Sequence, residues 1–284
     1  MSPAKTAEAP AAKQVPPTRM PLPGNPKDVA IDEACRDLRL PAFHKRFIEL
    51  AAAARREQST YKQFLLDLLR TEVADRDVRR QQRLVRAAEF PRPKRLENFD
   101  FGKNPSVSPE VVADLKSRSW VREGRPLVLI GDSGTGKSQL LIEVGTAISE
   151  AGLSVRHITT QALVNELAEA EAARRLFSLM ARYTKVDLLC LDEFGYANLD
   201  KKGAELLFQI LTEREERKAT AVATNSPFAE WDKTFGDRRL CAAIADRVTF
   251  RCTLHAARCT LIQTGTGSYL FQSTEADRQA TARS

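Results

Sequence analysis

An apolar segment that leads directly into a glycine-rich octapeptide is the feature that most constrains the fold of this chain. Residues 127–130 (LVLI) have the composition of a short buried strand, and residues 139–150 are predicted to form a helix. The eight residues between them follow the pattern G-x-x-x-x-G-K-S. A strand, a glycine-rich loop and a helix in this order are typical of a phosphate-binding loop.

The residue types of this loop explain why it would bind phosphate. The glycines let successive backbone N–H groups converge on phosphate oxygens, and the start of the helix adds a favourable dipole. Lys137 can reach the β- and γ-phosphates of a nucleotide, and the Ser138 hydroxyl can bind Mg²⁺. The residues expected to bind nucleotide are Gly131, Asp132, Ser133, Gly134, Thr135, Gly136, Lys137 and Ser138.

A second strand pattern ends in two carboxylates. Residues 187–191 (DLLCL) read as a buried strand, which Asp192 and Glu193 follow. Ligands bind at the carboxyl ends of the strands in parallel sheets, so we expect Asp192 to hold Mg²⁺ and Glu193 to act as general base on water. The chain lacks the guanine-reading pattern Asn-Lys-x-Asp, which favours ATP over GTP.

Two further side chains are candidates for a part in catalysis. Asn225 follows the strand pattern of residues 219–224 and could contact the γ-phosphate or the attacking water, although a turn before Pro227 also accounts for it. Arg247 could be an arginine finger that acts on a neighbouring subunit. Other arginines lie nearby, so a surface role for Arg247 stays open.

Basic residues are concentrated in one short segment. The whole chain has 44 Lys and Arg against 37 Asp and Glu, a net charge of +7. Residues 76–95 contain eight basic side chains and two acidic ones, which indicates a polyanionic partner such as DNA, with a solvated helix face as the alternative. The candidate DNA-binding residues are Arg76, Arg79, Arg80, Arg83, Arg86, Arg92, Lys94 and Arg95.

Composition excludes several other classes of protein. No apolar run approaches the length of about 18 residues that a transmembrane helix needs. The Pro/Ala-rich start has no apolar stretch of the secretory type, and five scattered cysteines do not form a disulfide framework. We therefore expect a cytoplasmic protein.

Helical and strand patterns divide the chain into two parts. Residues 28–90 are predicted to be helical, with a separate third helix at 72–89. Beyond them strands alternate with helices predicted at 161–182 and 203–217, which indicates an α/β fold with a parallel sheet.

Several segments together resemble the IstB family of insertion-sequence ATP-binding proteins, a branch of the AAA+ ATPases close to the DnaC helicase loaders. The resemblance covers residues 30–270, and the phosphate loop alone would indicate no more than a superfamily. The other segments that carry it are residues 38–40 (LRL), 86–91 (RAAEFP), 96–101 (LENFDF), 191–196 (LDEFGY), 203–209 (GAELLFQ), 225–231 (NSPFAEW), 235–237 (FGD) and 244–247 (IADR).

The resemblance implies an AAA+ P-loop NTPase core with a parallel sheet flanked by helices, preceded by a small all-α domain. It implies a homo-oligomer that binds ATP, Mg²⁺ and duplex DNA and stimulates a cognate transposase, with Asn225 as sensor and Arg247 as finger. The expected segments are a Pro-rich tail (1–26), a helical DNA-binding domain (27–95), an AAA+ ATPase domain (96–270) and a second tail (271–284). The alternatives are a DnaC-like helicase loader and, with less support, a metabolic kinase.

Overall fold

The computed structural model describes residues 26–92, 109–131, 133–195, 199–227, 230–235, 237–249 and 253–257. The two tails, Asp132, Lys94 and Arg95 lie outside the described residues, apart from Pro26, which begins the first helix. The chain separates into two compact units, Met1–Arg76 and Asp77–Ser284. The division falls within a helix, whereas the sequence places the domain boundary after residue 95, and that boundary stays a prediction.

The N-terminal unit is built from α1 (Pro26–Asp37), α2 (Pro41–Arg56) and the first half of α3 (Tyr61–Ala87). A buried carboxylate joins α2 to α3, because Glu72 accepts hydrogen bonds from the backbone N–H groups of Ala42 (2.9 Å) and Phe43 (3.2 Å). These groups lie at the start of α2, where backbone donors have no partner within the helix. Burial raises the pKa of Glu72, but Arg76 and these two N–H groups outweigh it, so the pKa lies below its usual value.

Five parallel strands form the sheet of the second unit, in the order β2-β3-β4-β1-β5. Their bounds are β1 (Leu127–Gly131), β2 (Val155–Thr159), β3 (Leu188–Asp192), β4 (Ala219–Thr224) and β5 (Thr253–Ala257). The helices are α4 (Pro109–Lys116), α5 (Ser119–Arg122), α6 (Lys137–Glu150), α7 (Thr160–Ala172), α8 (Leu176–Lys185), α9 (Lys201–Arg214), α10 (Trp231–Phe235) and α11 (Arg238–Thr249).

Side chains on β1, β3 and β4 alternate between two hydrophobic cores. On β1, Leu127 and Leu129 pack with α4, α5 and α6, whereas Val128 and Ile130 pack with α7, α9 and α11. This alternation follows from the two-residue period of a strand with helices on both faces. The predicted fold class, a parallel sheet flanked by helices after a helical N-terminal region, is therefore confirmed.

Two of the predicted helices differ most from the observed ones. Tyr61–Ala87 is one continuous helix rather than two, and Thr60 caps its start by accepting the N–H of Gln63 at 3.2 Å. The helix predicted at 161–182 is interrupted between α7 and α8, where Arg174 has a left-handed backbone (φ 55°). Hydrophobic periodicity continues across that turn, so it could not reveal the break.

Candidate nucleotide-binding site

The glycine-rich loop has the backbone conformation that its sequence predicts. Gly134 (φ 78°) and Gly136 (φ 84°) lie in the left-handed region, which side-chain-bearing residues adopt at a cost. Gly136 is also the N-cap of α6 and supplies no side chain to its first N–H groups. A helix start of this kind, with its dipole and its first backbone N–H groups, is expected at a phosphate-binding loop.

Strand order brings the other predicted residues beside this loop. Strand β4 lies between β1 and β3, so the loop after β1, Asn225 after β4 and the carboxylates that end β3 meet at one end of the sheet. They line a cavity of about 500 Å³. The lining residues are Ser133, Gly134, Gly136, Lys137, Ser138, Gln139, Asp192, Glu193, Ala223, Thr224 and Asn225.

Asp192 is held from several sides. Its Oδ1 accepts hydrogen bonds from Ser138 Oγ and from the backbone N–H of Glu193, both at 2.9 Å. Thr160 Oγ1 donates to its carbonyl oxygen at 3.0 Å. Burial raises the pKa of Asp192, but the neighbouring His157 imidazole, the Ser138 hydroxyl and the Glu193 amide outweigh that effect and hold the pKa below its usual value. Asp192 is therefore ionised at neutral pH.

The residues present fit a Mg²⁺ ion. Ser138 Oγ and Asp192 Oδ1 are 2.9 Å apart, so a hydroxyl and an ionised carboxylate oxygen converge on one point beside the phosphate loop. Oxygen ligands of this kind are those that Mg²⁺ takes together with nucleotide phosphates. Among the described residues there is no cluster of three or more His, Cys, Asp or Glu side chains that could hold a metal, so this fit depends on the hydroxyl and the carboxylate together with nucleotide phosphates.

Glu193 is exposed and has a left-handed backbone (φ 54°). Its neighbour Phe194 is fully buried and contacts Trp231 (4.9 Å between ring centroids) and Phe235 (5.7 Å). The backbone N–H of Phe194 also donates to the carbonyl of Ala223 on β4 at 2.9 Å. Packing of the aromatic residue thus stabilises the strained turn and leaves the Glu193 side chain open to solvent.

Arg247 lies outside this cavity, near the amino ends of β1 and β4. Its Nε donates to Thr212 Oγ1 at 2.8 Å, and the guanidinium lies 4.3 Å from the ring centroid of Phe208. Glu215 is an ion-pair partner at 3.4 Å. Arg247 therefore does not complete the nucleotide site of its own chain, and its role as a finger stays a prediction.

The candidate DNA-binding arginines have different surroundings. Arg76 donates to Glu72 (2.9 Å) and to the carbonyl of Arg39 (3.0 Å), so it also stabilises the N-terminal unit. The rest of the described set is exposed on α3 or just beyond it, and those on α3 occupy about 120° of its circumference. These exposed residues are Arg79, Arg80, Arg83, Arg86 and Arg92.

Two polar residues beside Asp192 were not singled out from the sequence. His157 lies within β2 and Thr160 begins α7 directly after it, and β2 pairs with β3 so that Thr159 is opposite Asp192. The signal available was a pair of threonines at the carboxyl end of a predicted strand. It could not be used, because which strand neighbours β3 is a property of the sheet order.

The fold and the site together define a P-loop nucleotide-binding protein. The model of the family described as "IstB-like ATP binding protein" matches residues 33–273. The chain therefore belongs to the IstB-like ATP-binding protein family, as its sequence motifs predicted.

Relatives named as insertion-sequence ATP-binding proteins have similar lengths. An insertion-sequence ATP-binding protein of Sinorhizobium fredii is 35% identical over 79% of this chain and 77% of its own length. Another, from Geobacillus stearothermophilus, is 31% identical over 77% of this chain and 87% of its own length.

Solved structures confirm the fold of the core. The AMPPCP-bound DnaA of Aquifex aeolicus superimposes with a TM-score of 0.51 at 19% identity, over 68% of this chain and 57% of that one. DnaA bound to AMPPCP and single-stranded DNA gives 0.50 at 20% identity, over 61% and 52%. This chain thus spans little more than half of those proteins. Within the residues described here, no helix combines the length and apolarity required to cross a membrane.

Proposed function

We propose that this protein hydrolyses ATP and, as an oligomer on duplex DNA, stimulates a cognate transposase. The observation that carries the ATPase assignment is the 2.9 Å contact of Ser138 with Asp192 in the cavity that Glu193 and Asn225 also line. A phosphate loop, a metal-binding pair, a carboxylate base and a polar sensor are the parts that hydrolysis of a nucleoside triphosphate requires.

Each residue has a definite task in this proposal. The loop N–H groups and Lys137 bind the β- and γ-phosphates and orient the γ-phosphorus toward the attacking water. Glu193 accepts a proton from that water as its oxygen bonds to phosphorus and the bond to the β-phosphate oxygen breaks. Asn225 orients the water or a γ-phosphate oxygen. Ser138 and Asp192 would hold Mg²⁺, which would neutralise phosphate charge when bound.

The Glu193→Gln variant tests the assignment of the base. The amide cannot accept the proton, so we expect turnover to fall by about 10²–10⁴-fold while ATP is still bound. Steady-state ATPase rates and calorimetric titration with a non-hydrolysable ATP analogue measure the two effects. Wild-type turnover in this variant would show that Glu193 is not the base.

The DNA part of the proposal is supported by the exposed arginines of α3 and by relatives described as insertion-sequence proteins. Phosphate contacts release counterions, so each lost contact should lower the slope of log affinity against log salt by about 0.9. Because the arginines offer no pattern of base reading, we expect little sequence preference. ATP and bacterial DNA are both cytoplasmic, and we expect the protein to act there.

Filter binding to plain duplex at several salt concentrations tests this part. Replacing Arg79, Arg83 and Arg86 together by Gln should weaken binding and reduce the salt slope by up to about 2.7, at 0.9 for each contact. The control removes the same charge elsewhere, at the exposed residues Arg55, Arg56 and Lys62. Absence of duplex binding by the wild type, with capture of a replicative helicase, would favour the helicase-loader alternative.

A further inference from the structure

The three residues that follow α3 attach to the edge strand of the sheet. Ala88 is completely buried, and its carbonyl accepts the backbone N–H of His157 on β2 at 2.8 Å. Glu89 forms an ion pair with the buried Arg156 of the same strand. Because β2 lies at the edge, its outward N–H groups have no strand partner, and the turn takes the place of one.

The third residue of this turn, Phe90, packs into the sheet face behind the nucleotide site. Its ring centroid is 5.9 Å from that of His157. On the other side the ring approaches α6 so closely that a Cβ added at Gly145 would lie 2.8 Å from Phe90 Cε1. Phe90 is therefore enclosed between the phosphate-loop helix and β2, and it restricts the position of the His157 ring.

His157 in turn faces the predicted metal-binding carboxylate. Its side chain is 6% exposed, and Nε2 lies 3.7 Å from Asp192 Oδ2. Within the part of the chain that the structure describes, this buried Nε2 has no hydrogen-bond partner. A buried polar atom without a partner is costly, so the Asp192 carboxylate is the group that a small movement of the ring would bring into contact.

The two oxygens of Asp192 thus have different surroundings. Oδ1 is hydrogen-bonded to Ser138 and to the amide of Glu193, on the side of the phosphate loop. Oδ2 points toward His157, on the side of the turn. Groups beside a metal ligand fix its orientation, and their loss commonly weakens metal binding by about 10–100-fold.

We propose that His157 is a positioning residue for Asp192: Phe90 and the carbonyl of Ala88 hold its ring, and the ring fixes the carboxylate for the Mg²⁺ that accompanies ATP. This inference rests on the proposed function, since it concerns the same nucleotide site. It adds that the turn connecting α3 to the core supports the metal site.

The experiment measures how strongly Mg²⁺ tightens nucleotide binding. The dissociation constant of a non-hydrolysable ATP analogue is determined for the full chain, once in EDTA and once with Mg²⁺. In His157→Phe the ring still packs on Phe90, but the polar atom is lost. We expect an unchanged constant in EDTA and about a tenfold smaller tightening by Mg²⁺.

Further variants separate positioning from general stability. His157→Gln can direct an amide N–H at Asp192 and should restore part of the tightening. Phe90→Leu keeps an apolar side chain but loosens the ring of His157, and should give a smaller loss in the same direction. His44→Phe makes the matched change at a half-buried histidine of the N-terminal unit and should alter neither constant.

The possible outcomes distinguish this inference from the function on which it rests. Normal tightening in His157→Phe, or an equal loss of affinity with and without Mg²⁺, would overturn the role of His157 alone. If Mg²⁺ did not tighten nucleotide binding in the wild type, the metal site itself would be wrong, and with it both proposals. A wild type that binds Mg²⁺ and nucleotide normally without hydrolysing ATP would contradict the ATPase assignment and leave the positioning role intact.

Discussion

The carboxyl and amino ends of the parallel sheet each border a cavity, but their polar groups are used differently. At the carboxyl end the cavity measures about 500 Å³ and is lined by the glycine-rich loop and the start of α6 around Lys137. At the amino end a cavity of about 410 Å³ is lined by Arg214 and Arg247, whose guanidinium groups bond to neighbouring protein atoms. The first arrangement is suited to bind an anion, and the second stabilises the fold.

Arg214 shows that buried polar groups at the amino end of the sheet are hydrogen-bonded within the protein. It is 1% exposed and donates to the carbonyls of Tyr183 (2.6 Å), Val186 (3.0 Å) and Ala219. Burial lowers its pKa to about 10, so it still carries a charge at neutral pH. It therefore connects the end of α8 to the start of β4, where these carbonyls would otherwise have lost their contact with water.

The largest expected effect concerns Arg247 at the amino end of the sheet. A catalytic role for this residue would contradict the conclusion that the amino end only stabilises the fold. If Arg247 is a finger for the neighbouring subunit, Arg247→Ala should lower turnover by about 10³-fold or more. Nucleotide affinity in the variant's own cavity should change little. ATPase assays and calorimetric titration provide both numbers.

A mixing experiment distinguishes this role from loss of a structural contact. Arg247→Ala and Glu193→Gln subunits are each deficient alone, but in a mixed oligomer one supplies the base and the other the finger. Random head-to-tail assembly of equal amounts should restore about a quarter of the interfaces. If mixing recovers no activity, Arg247 belongs with Arg214 as a stabilising residue.

The second prediction sharpens the assignment of the amino end as a stabilising region. Arg214→Met fills a similar volume but removes the hydrogen bonds that the guanidinium donates to three carbonyls, and we expect a loss of about 3 kcal/mol in the free energy of unfolding. For a unit of this size that lowers the melting temperature by roughly 2–4 °C per kcal/mol. Calorimetric melting checks the loss, and nucleotide affinity of the folded protein should be unchanged.

This prediction is tested further by a matched variant and by a second contribution to the free energy of unfolding. Arg214→Lys keeps the charge but offers fewer donors, so it should recover part of the stability. Removing a buried charge also relieves its desolvation cost, which acts in the opposite direction. Equal stability of wild type and Arg214→Met would mean that this relief cancels the lost bonds and that Arg214 does not stabilise the fold.

The two ends also differ in how well the sequence predicts them. The phosphate loop and the Asp192–Glu193 pair are local patterns at strand ends, and a parallel sheet necessarily gathers such ends, so their proximity could be predicted. His157 and Thr160 could not be linked to Asp192, because their contacts depend on β2 lying beside β3. Arg214 was missed for another reason, since arginine is rarely buried and composition places it on the surface.

The smallest of the three effects concerns Lys137, and it tests most directly whether the carboxyl end binds phosphate. Its ammonium group is expected to contact nucleotide phosphate, and a hydrogen bond to a charged group contributes about 2 kcal/mol, so Lys137→Ala should weaken nucleotide binding about 30-fold. In contrast to Arg214→Met, it should leave the melting temperature without nucleotide nearly unchanged, because Lys137 lies beside the cavity rather than in a core. Calorimetric titration with the ATP analogue measures the affinity, and calorimetric melting without nucleotide measures the melting temperature. Unaltered affinity would exclude Lys137 as a phosphate ligand, and a large loss of stability would show that the carboxyl end, too, contributes to the stability of the fold.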